Sequence, residues 1–175
     1  MIYMVEMDLD DPDREADWHE WYRDHIQTLL TVPGIRASQR LKSIVPSSVP
    51  FLALHQVDNF AVLDTPEFRS CGEPVSGGEW AARQVNCRGS RLEGLGSTPD
   101  VPAHCHLLVL DGARDVRVPA GISVGWLSNA DPDRIDQLCG MAVVRIVPLP
   151  LVELAKIDSR VRVYRPITEK IWASA

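Results

Sequence analysis

The sequence lacks any cluster of positive charge, and it lacks long apolar runs. It has 18 Lys and Arg residues against 24 Asp and Glu residues, for a net charge of −6. We therefore expect no nucleic-acid partner, because binding to a polyphosphate backbone depends on clustered Lys and Arg. The apolar run 141–147 is far shorter than the ~20 residues that span a bilayer and contains Arg145, so no membrane partner is expected either.

A secretory leader and closely spaced cysteines are also missing. The N-terminus enters a strand-like segment without a basic start or a following apolar stretch, which favours a cytoplasmic location. The four cysteines have no CxxC spacing, so we expect free thiols in a reducing compartment and not a disulfide framework or a zinc knuckle. They are Cys71, Cys87, Cys105 and Cys139.

The sequence contains no motif for a nucleotide or a prosthetic group. The glycines at 77–78 and 94–96 lack the strand-to-helix context of a phosphate-binding loop, and no nucleophile elbow is present. The run His104-Cys105-His106 holds good metal ligands, but in a strand its two imidazoles share one face and the thiol points to the other. We therefore predict no cofactor and no metal site.

The first 95 residues alternate between the strand period and the helical period. Residues 2–9 alternate across two faces, which predicts a half-buried strand. Helical spacing follows from residue 14 and ends at Val-Pro-Gly in 32–34. Further predicted elements are strands at 36–43 and 51–59, a helical region at 61–85 interrupted near Pro74 to Gly78, and a strand at 86–95. This β-α-β-β-α-β order predicts a ferredoxin-like α+β domain over residues 1–95.

The remainder of the chain predicts a second, shortened half. Residues 96–103 are rich in Gly, Ser and Pro and are interpreted as a linker. Strand-like runs follow at 104–110, 122–127, 141–147 and 161–164, with one short helix predicted at 133–138. Because a complete repeat has no room, we interpret residues 104–175 as a degenerate second α+β half, or an extension of the same sheet, packed on the first.

Several segments resemble the dimeric α/β-barrel superfamily, in particular its EthD-like and uncharacterised bacterial members. Residues 18–25 read Trp-His-Glu-Trp-Tyr-Arg-Asp-His, and residues 32–35 read Val-Pro-Gly-Ile. Residues 51–55 read Phe-Leu-Ala-Leu-His, and residues 63–69 read Leu-Asp-Thr-Pro-Glu-Phe-Arg. The resemblance covers roughly the first 95 residues.

The resemblance implies a homodimer in which two sheets pack back to back, and a small-molecule substrate. Members of the superfamily include monooxygenases without cofactors, muconolactone isomerases, polyketide cyclases and heme-dependent dehydratases. One shared fold therefore does not select one activity. The sequence also departs from the family pattern, because His55 stands where an aromatic residue is frequent.

Two histidines are the candidate catalytic residues. His25 lies on the helical stripe of Trp18, Trp21 and Tyr22, so its imidazole should face the sheet. If His55 emerges on the helix-facing side of the third strand, both imidazoles flank one pocket. There they could transfer protons next to a carbonyl group, with the Tyr22 hydroxyl as a nearby donor.

Three further residues are candidate substrate contacts. Trp18 and Trp21 would form an apolar wall, and His19, one residue off the stripe, would lie at the pocket rim. We predict a cofactor-independent lyase, isomerase or cyclase that acts on a compact apolar or aromatic carbonyl compound. The alternatives are a non-catalytic dimeric binding or accessory protein, in which the histidines are structural, and a metal- or heme-dependent enzyme.

Overall fold

The architecture is given by a computed structural model that describes residues 1–72, 78–112, 115–135 and 137–174. Within these ranges the chain forms nine strands and four α-helices. The strands are β1 (Ile2–Leu9), β2 (Ile35–Ser43), β3 (Phe51–Val57), β4 (Gln84–Glu93), β5 (His106–Asp111), β6 (Gly125–Asn129), β7 (Leu138–Val144), β8 (Val161–Pro166) and β9 (Ile171–Trp172). The helices are α1 (Glu15–Leu29), α2 (Pro66–Gly72), α3 (Gly78–Arg83) and α4 (Leu149–Ile157).

Eight of the strands close into one antiparallel barrel. Their order is β3-β1-β4-β6-β7-β5-β8-β2, and β2 pairs with β3 to complete the circle. The short β9 pairs with β2 at Ala37 and Ser38. The first four strands lie in the order β4-β1-β3-β2 and the next four in the order β8-β5-β7-β6. The α+β class is confirmed, and the barrel closes within a single chain.

Alternation along each strand divides the side chains between the barrel interior and the outer layers. On β1, Ile2 and Met4 belong to the interior core, whereas Met7 and Leu9 belong to the core under α1. The interior core includes residues from both halves of the sequence, for example Leu107 on β5. Because side chains of adjacent strand residues point to opposite faces, one strand serves two separate cores.

The segment 96–103 packs against the barrel, although its composition predicts a linker. Val101 is buried in the interior core, and the side chain of Gln39 holds it there. Gln39 Nε2 donates to the Val101 carbonyl at 2.8 Å, and the Val101 amide donates to Gln39 Oε1 at 3.0 Å. Thr98 donates to Gln56 Oε1 at 3.3 Å. These bonds satisfy polar groups that the strands place inside the barrel.

Helices cover the outer face of the barrel unequally. Four buried residues of α1, Trp18, Tyr22, Ile26 and Leu29, recur at helical spacing and pack on the first-half sheet. In the second half α4 packs on β5, β7 and β8. The described residues between β5 and β6 form no α-helix. None of the helices in the described ranges combines the length and apolarity that a membrane crossing requires.

The second half differs from the sequence prediction in detail. The helix predicted at 133–138 is a single 3₁₀ turn, Pro132–Arg134, and β7 begins at Leu138. The helix α4 lies in the segment between the runs 141–147 and 161–164, for which no element was predicted. Pro148 and Pro150 lie at its start, where a missing N–H costs nothing. Part of the interruption predicted near Pro74 to Gly78 lies outside the described residues.

Candidate functional site

A cavity of about 910 Å³ lies between the helices α1 and α2 and the outer face of strands β1, β3 and β4. Volumes of this order are typical of small-molecule sites. The residues that line it include Tyr3, Trp21, Tyr22, His25, His55, Phe68, Cys71, Cys87, Gly89 and Arg91. The predicted pocket between the first helix and the sheet is therefore present.

His55 is buried in β3 and is held by the neighbouring strand. Its Nδ1 lies 3.0 Å from the Ser38 hydroxyl, and the two residues are directly opposite in the register of β2 and β3. The Tyr3 ring stacks near it, with centroids 6.1 Å apart. Burial and the nearby His25 lower the pKa of His55 to about 3, so its ring is neutral at neutral pH.

His25 projects from α1 toward the same cavity. Its ring stacks on Trp21, with centroids 5.1 Å apart and planes 11° from parallel. Among the described residues, none forms a hydrogen bond with this imidazole. Burial, followed by the positive charge of Arg40, lowers the pKa of His25 to about 4. The ring is therefore neutral at neutral pH.

Tyr22 contributes a phenol to the cavity wall. Burial raises the pKa of Tyr22 to about 12, although the nearby Arg40 acts in the opposite direction. The hydroxyl is therefore protonated over the physiological range and can donate a hydrogen bond to a ligand oxygen. Within the described part of the chain no other group hydrogen-bonds this hydroxyl.

The structure separates the predicted site residues into two groups. Trp21, Tyr22, His25 and His55 line one cavity. Trp18 does not line it, because the indole is fully buried against Phe51, with centroids 4.6 Å apart.

His19 does not line the cavity either, and its ring bonds to other side chains. Its Nδ1 accepts from Arg40 Nη1 at 3.1 Å, and its Nε2 lies 3.0 Å from Glu15 Oε1.

Sequence reasoning missed Ser38, Arg40 and Tyr3. The signal was the polar run Ser38-Gln39-Arg40 inside a strand predicted to lie within a sheet, since buried polar groups need partners. Arg40 is only 2% exposed and packs against the rings of Tyr22 and Trp18, with its Cζ 3.8 and 4.4 Å from their centroids.

The mouth of the cavity carries charges of both signs. Asp64 lies 3.6 Å from Arg69 and 4.0 Å from Arg91, and Asp131 lies 3.9 Å from Arg91. Such half-exposed pairs contribute little to stability. These pairs balance the charges of Asp64 and Asp131, whereas Asp24, which also lines the cavity, is exposed and has no ion-pair partner among the described residues.

The run His104-Cys105-His106 does not form a single strand. His104 is exposed in a turn, and β5 begins only at His106. Among the described residues, no three His, Cys, Asp or Glu side chains are placed to hold a metal ion.

Gly89 determines where the Tyr3 ring lies in the cavity. A Cβ atom at position 89 would lie 2.6 Å from the Tyr3 hydroxyl oxygen, so Gly89→Ala should displace the ring. We expect Gly89→Ala to raise the Kd of an aromatic carbonyl ligand several-fold by calorimetry. Gly96→Ala is the matched control, because a Cβ there meets nothing within 4 Å. Equal affinities in the two variants would contradict this assignment.

The fold and the cavity together define a class of protein. It is a closed antiparallel barrel that carries helices on its outer face and a cavity of ligand size between helices and sheet. No family model matches the sequence, and no curated protein matches it.

Solved structures share this fold over nearly the whole chain. An anthrone oxidase-like protein has a TM-score of 0.61 at 10% identity, covering 99% of this chain and 93% of its own. A protein of Lactobacillus acidophilus NCFM named "putative monooxygenase" has a TM-score of 0.56 at 8% identity, covering 99% of both chains. Another protein of that name, from Fusobacterium nucleatum, has a TM-score of 0.51 at 7% identity, covering 99% and 95%. At such identities the likeness shows the fold alone.

Proposed function

We propose that this protein is a small-molecule enzyme that removes a proton from an aromatic carbonyl compound bound in the cavity. One observation carries the proposal. Two neutral imidazoles, His25 and His55, and the Tyr22 hydroxyl line the same ligand-sized space. Neutral imidazole accepts protons, and a phenol donates a hydrogen bond to the oxygen on which negative charge develops.

Each residue has a distinct role in this proposal. With Nδ1 of His55 donating to Ser38, its Nε2 is the proton acceptor. Burial lowers the pKa of the His55 imidazole, and a ligand anion formed beside the ring raises that pKa. His25 is the second acceptor or the donor that returns the proton. Trp21 supplies an apolar wall.

The fate of the carbanion determines the reaction class. Return of the proton to another atom gives an isomerase, and loss of a neighbouring group gives a lyase. Attack of the carbanion on a second carbonyl carbon of the same molecule, whose oxygen then takes the proton, gives a cyclase. The structural neighbours named anthrone oxidase-like and monooxygenase suggest a further fate, in which dioxygen attacks the carbanion. All these reactions begin with the same proton transfer and require no resident cofactor.

A test of the proposed function uses anthrone, which carries acidic hydrogens conjugated to a carbonyl group. Wild-type protein should accelerate exchange of these hydrogens for deuterium in D₂O, followed by NMR, and oxygen uptake is recorded in parallel. The double variant His25→Asn, His55→Asn should slow exchange by about 100-fold or more. His104→Asn, which removes an exposed imidazole, should leave the rate unchanged.

Full exchange activity in the double variant would refute acid/base catalysis by these histidines. The second candidate function is ligand binding without chemistry, which the low pKa values of both histidines favour. It would be supported by tight anthrone binding in wild-type protein with no exchange above the solvent rate.

We also propose that the barrel is a fusion of two ferredoxin-like halves, residues 1–95 and 104–175, of which the second has lost its first helix. The matching strand orders of the two halves support this history. The expected homodimer remains a prediction. Because β2 and β4 already pair with β8 and β6, a second copy would have to dock on the outer surface.

A further inference from the structure

Arg40 is a buried cation without a counter-ion. Its side chain is 2% exposed, and no carboxylate of the described residues lies within ion-pair distance of it. Its Nη2 atom is buried and has no hydrogen-bond partner in the described part of the chain. Burial lowers the pKa of Arg40 only to about 10, so the guanidinium stays charged. A charge buried in this way is costly unless something compensates it.

A chain of four side chains holds this charge in place. Arg40 donates to Nδ1 of His19, so the proton of the neutral His19 ring is on Nε2, facing Glu15. Glu15 in turn accepts two bonds from Lys42, at 2.6 and 2.7 Å. The carboxylate is matched by Lys42 at the half-exposed end of the chain. One positive charge therefore remains at the buried end.

Tyr22 stands between this charge and the cavity. The Arg40 Cζ lies 3.8 Å from the Tyr22 ring centroid, and Tyr22 lines the cavity. The charge acts beyond Tyr22, because it depresses the pKa of His25. The titratable groups that face Arg40, namely Tyr22, His19, Glu15 and His25, all belong to α1. A low-dielectric wall of this kind strengthens the field inside the cavity.

We infer that the cavity selects aromatic ligands in their anionic form, with the negative oxygen at the Tyr22 hydroxyl and Arg40 as the positioning residue that supplies the compensating charge. The inference rests on the proposed function in assigning the substrate to this cavity. It adds the substrate class, which is an aromatic ketone acidic enough for its enolate to form in the cavity, and the phenolate used in the test below is a stable mimic of that enolate. Acidic groups of the lining do not oppose such a ligand strongly, because Asp64 and Asp131 are matched by arginines. The third, Asp24, is exposed, so water and salt screen its charge.

The test uses 4-nitro-1-naphthol, whose phenolate absorbs visible light. An absorbance titration in saturating wild-type protein should give a pKa at least one unit below that of the free compound, which is a tenfold preference for the anion. Its methyl ether, which cannot ionise, should bind at least tenfold more weakly than the phenolate. The pKa of Tyr22, about 12, lies above the window of the probe. The imidazoles of His25 and His55, with pKa values of about 4 and 3, can titrate within it, so the titration is repeated in the double variant His25→Asn, His55→Asn.

The variants separate a role of charge from a role in packing. Arg40→Met should weaken phenolate binding at least tenfold and leave the affinity for the methyl ether unchanged. An equal loss for both ligands would show that Arg40 acts only in packing and would overturn the inference. Arg40→Lys, which keeps the charge, should retain part of the pKa shift.

Wild-type protein alone already decides the question if Arg40→Met fails to fold. Lack of binding, or equal affinity for phenolate and ether, overturns the inference. The double variant His25→Asn, His55→Asn should still lower the pKa of the bound probe. If this double variant exchanges anthrone hydrogens as fast as wild type, the proposed function fails while the anion selectivity stands. If exchange depends on the histidines but the probe binds as the neutral phenol, the anion selectivity fails while the proposed function stands.

Discussion

Glu6→Ala should lower the free energy of unfolding by about 3–5 kcal/mol, the range measured when one partner of a buried ion pair is removed. Glu6 is 2% exposed inside the barrel and pairs with Arg162 of β8 and, at 3.2 Å, with Arg88 of β4. Arg162 and Arg88 also share Asp111, at 2.8 and 3.3 Å. Removing Glu6 leaves the nearly buried guanidinium of Arg162 with only Asp111, a carboxylate that it shares with the more exposed Arg88.

Chemical denaturation measures this effect, with Glu93→Ala on the exposed side of β4 as the matched control. Glu93→Ala should change the free energy of unfolding by less than about 0.5 kcal/mol. The double variant Glu6→Leu, Arg162→Met should be less destabilised than Glu6→Ala, since it removes both charges of the pair. A loss below 1 kcal/mol in Glu6→Ala would show that water reaches the network and screens it.

Acidification from pH 7 to pH 5 should destabilise the protein through His55. Burial holds the pKa of His55 at about 3 in the folded state, against an ordinary value of 6.5. Below pH 6.5 the unfolded chain binds a proton that the folded protein does not, so stability falls as the pH falls from 6.5 toward 3. A difference of one bound proton between the unfolded and folded states changes the free energy of unfolding by about 1.4 kcal/mol per pH unit. The loss of stability due to His55 is therefore about 2 kcal/mol at pH 5.

Unfolding curves in urea at several pH values test this linkage. His55→Asn retains a partner for Ser38 but cannot be protonated. Its free energy of unfolding should therefore fall less steeply than that of wild type between pH 6.5 and 5, and the difference in slope should correspond to about one bound proton. His104→Asn, at an exposed site, should show the wild-type slope. The same slope in His55→Asn and wild type would mean that the imidazole is protonated inside the fold.

Local periodicity accounts for most of what could be predicted about the first half. The two faces of β1, the stripe of α1 and the position of His55 on the same face as Phe51, Ala53 and Val57 follow from residue spacing within one element. That this face of β3 meets α1 is a property of the tertiary structure. The need of a buried imidazole for a partner was also predictable. That the partner is Ser38 was not, because it depends on the register between β2 and β3.

Two features of the rest of the chain could not be predicted from local periodicity. The strands of the second half lie close to the predicted runs, but α4 was not predicted, and it begins with prolines, which are compatible with the first turn of a helix. The segment 96–103 has the composition of a linker, and its packing against the barrel depends on Gln39 and Gln56, which are distant in sequence.

The sequence by itself determined the α+β class and the faces of the first-half elements, since periods of 2 and 3.6 residues are local properties. Only the tertiary structure decided that the barrel closes within one chain, that Glu6 meets Arg162, and that Arg40 lies behind Tyr22. These contacts join residues from different strands and helices. They depend on strand order and register, which are set by the packing of the whole chain and not by any one segment.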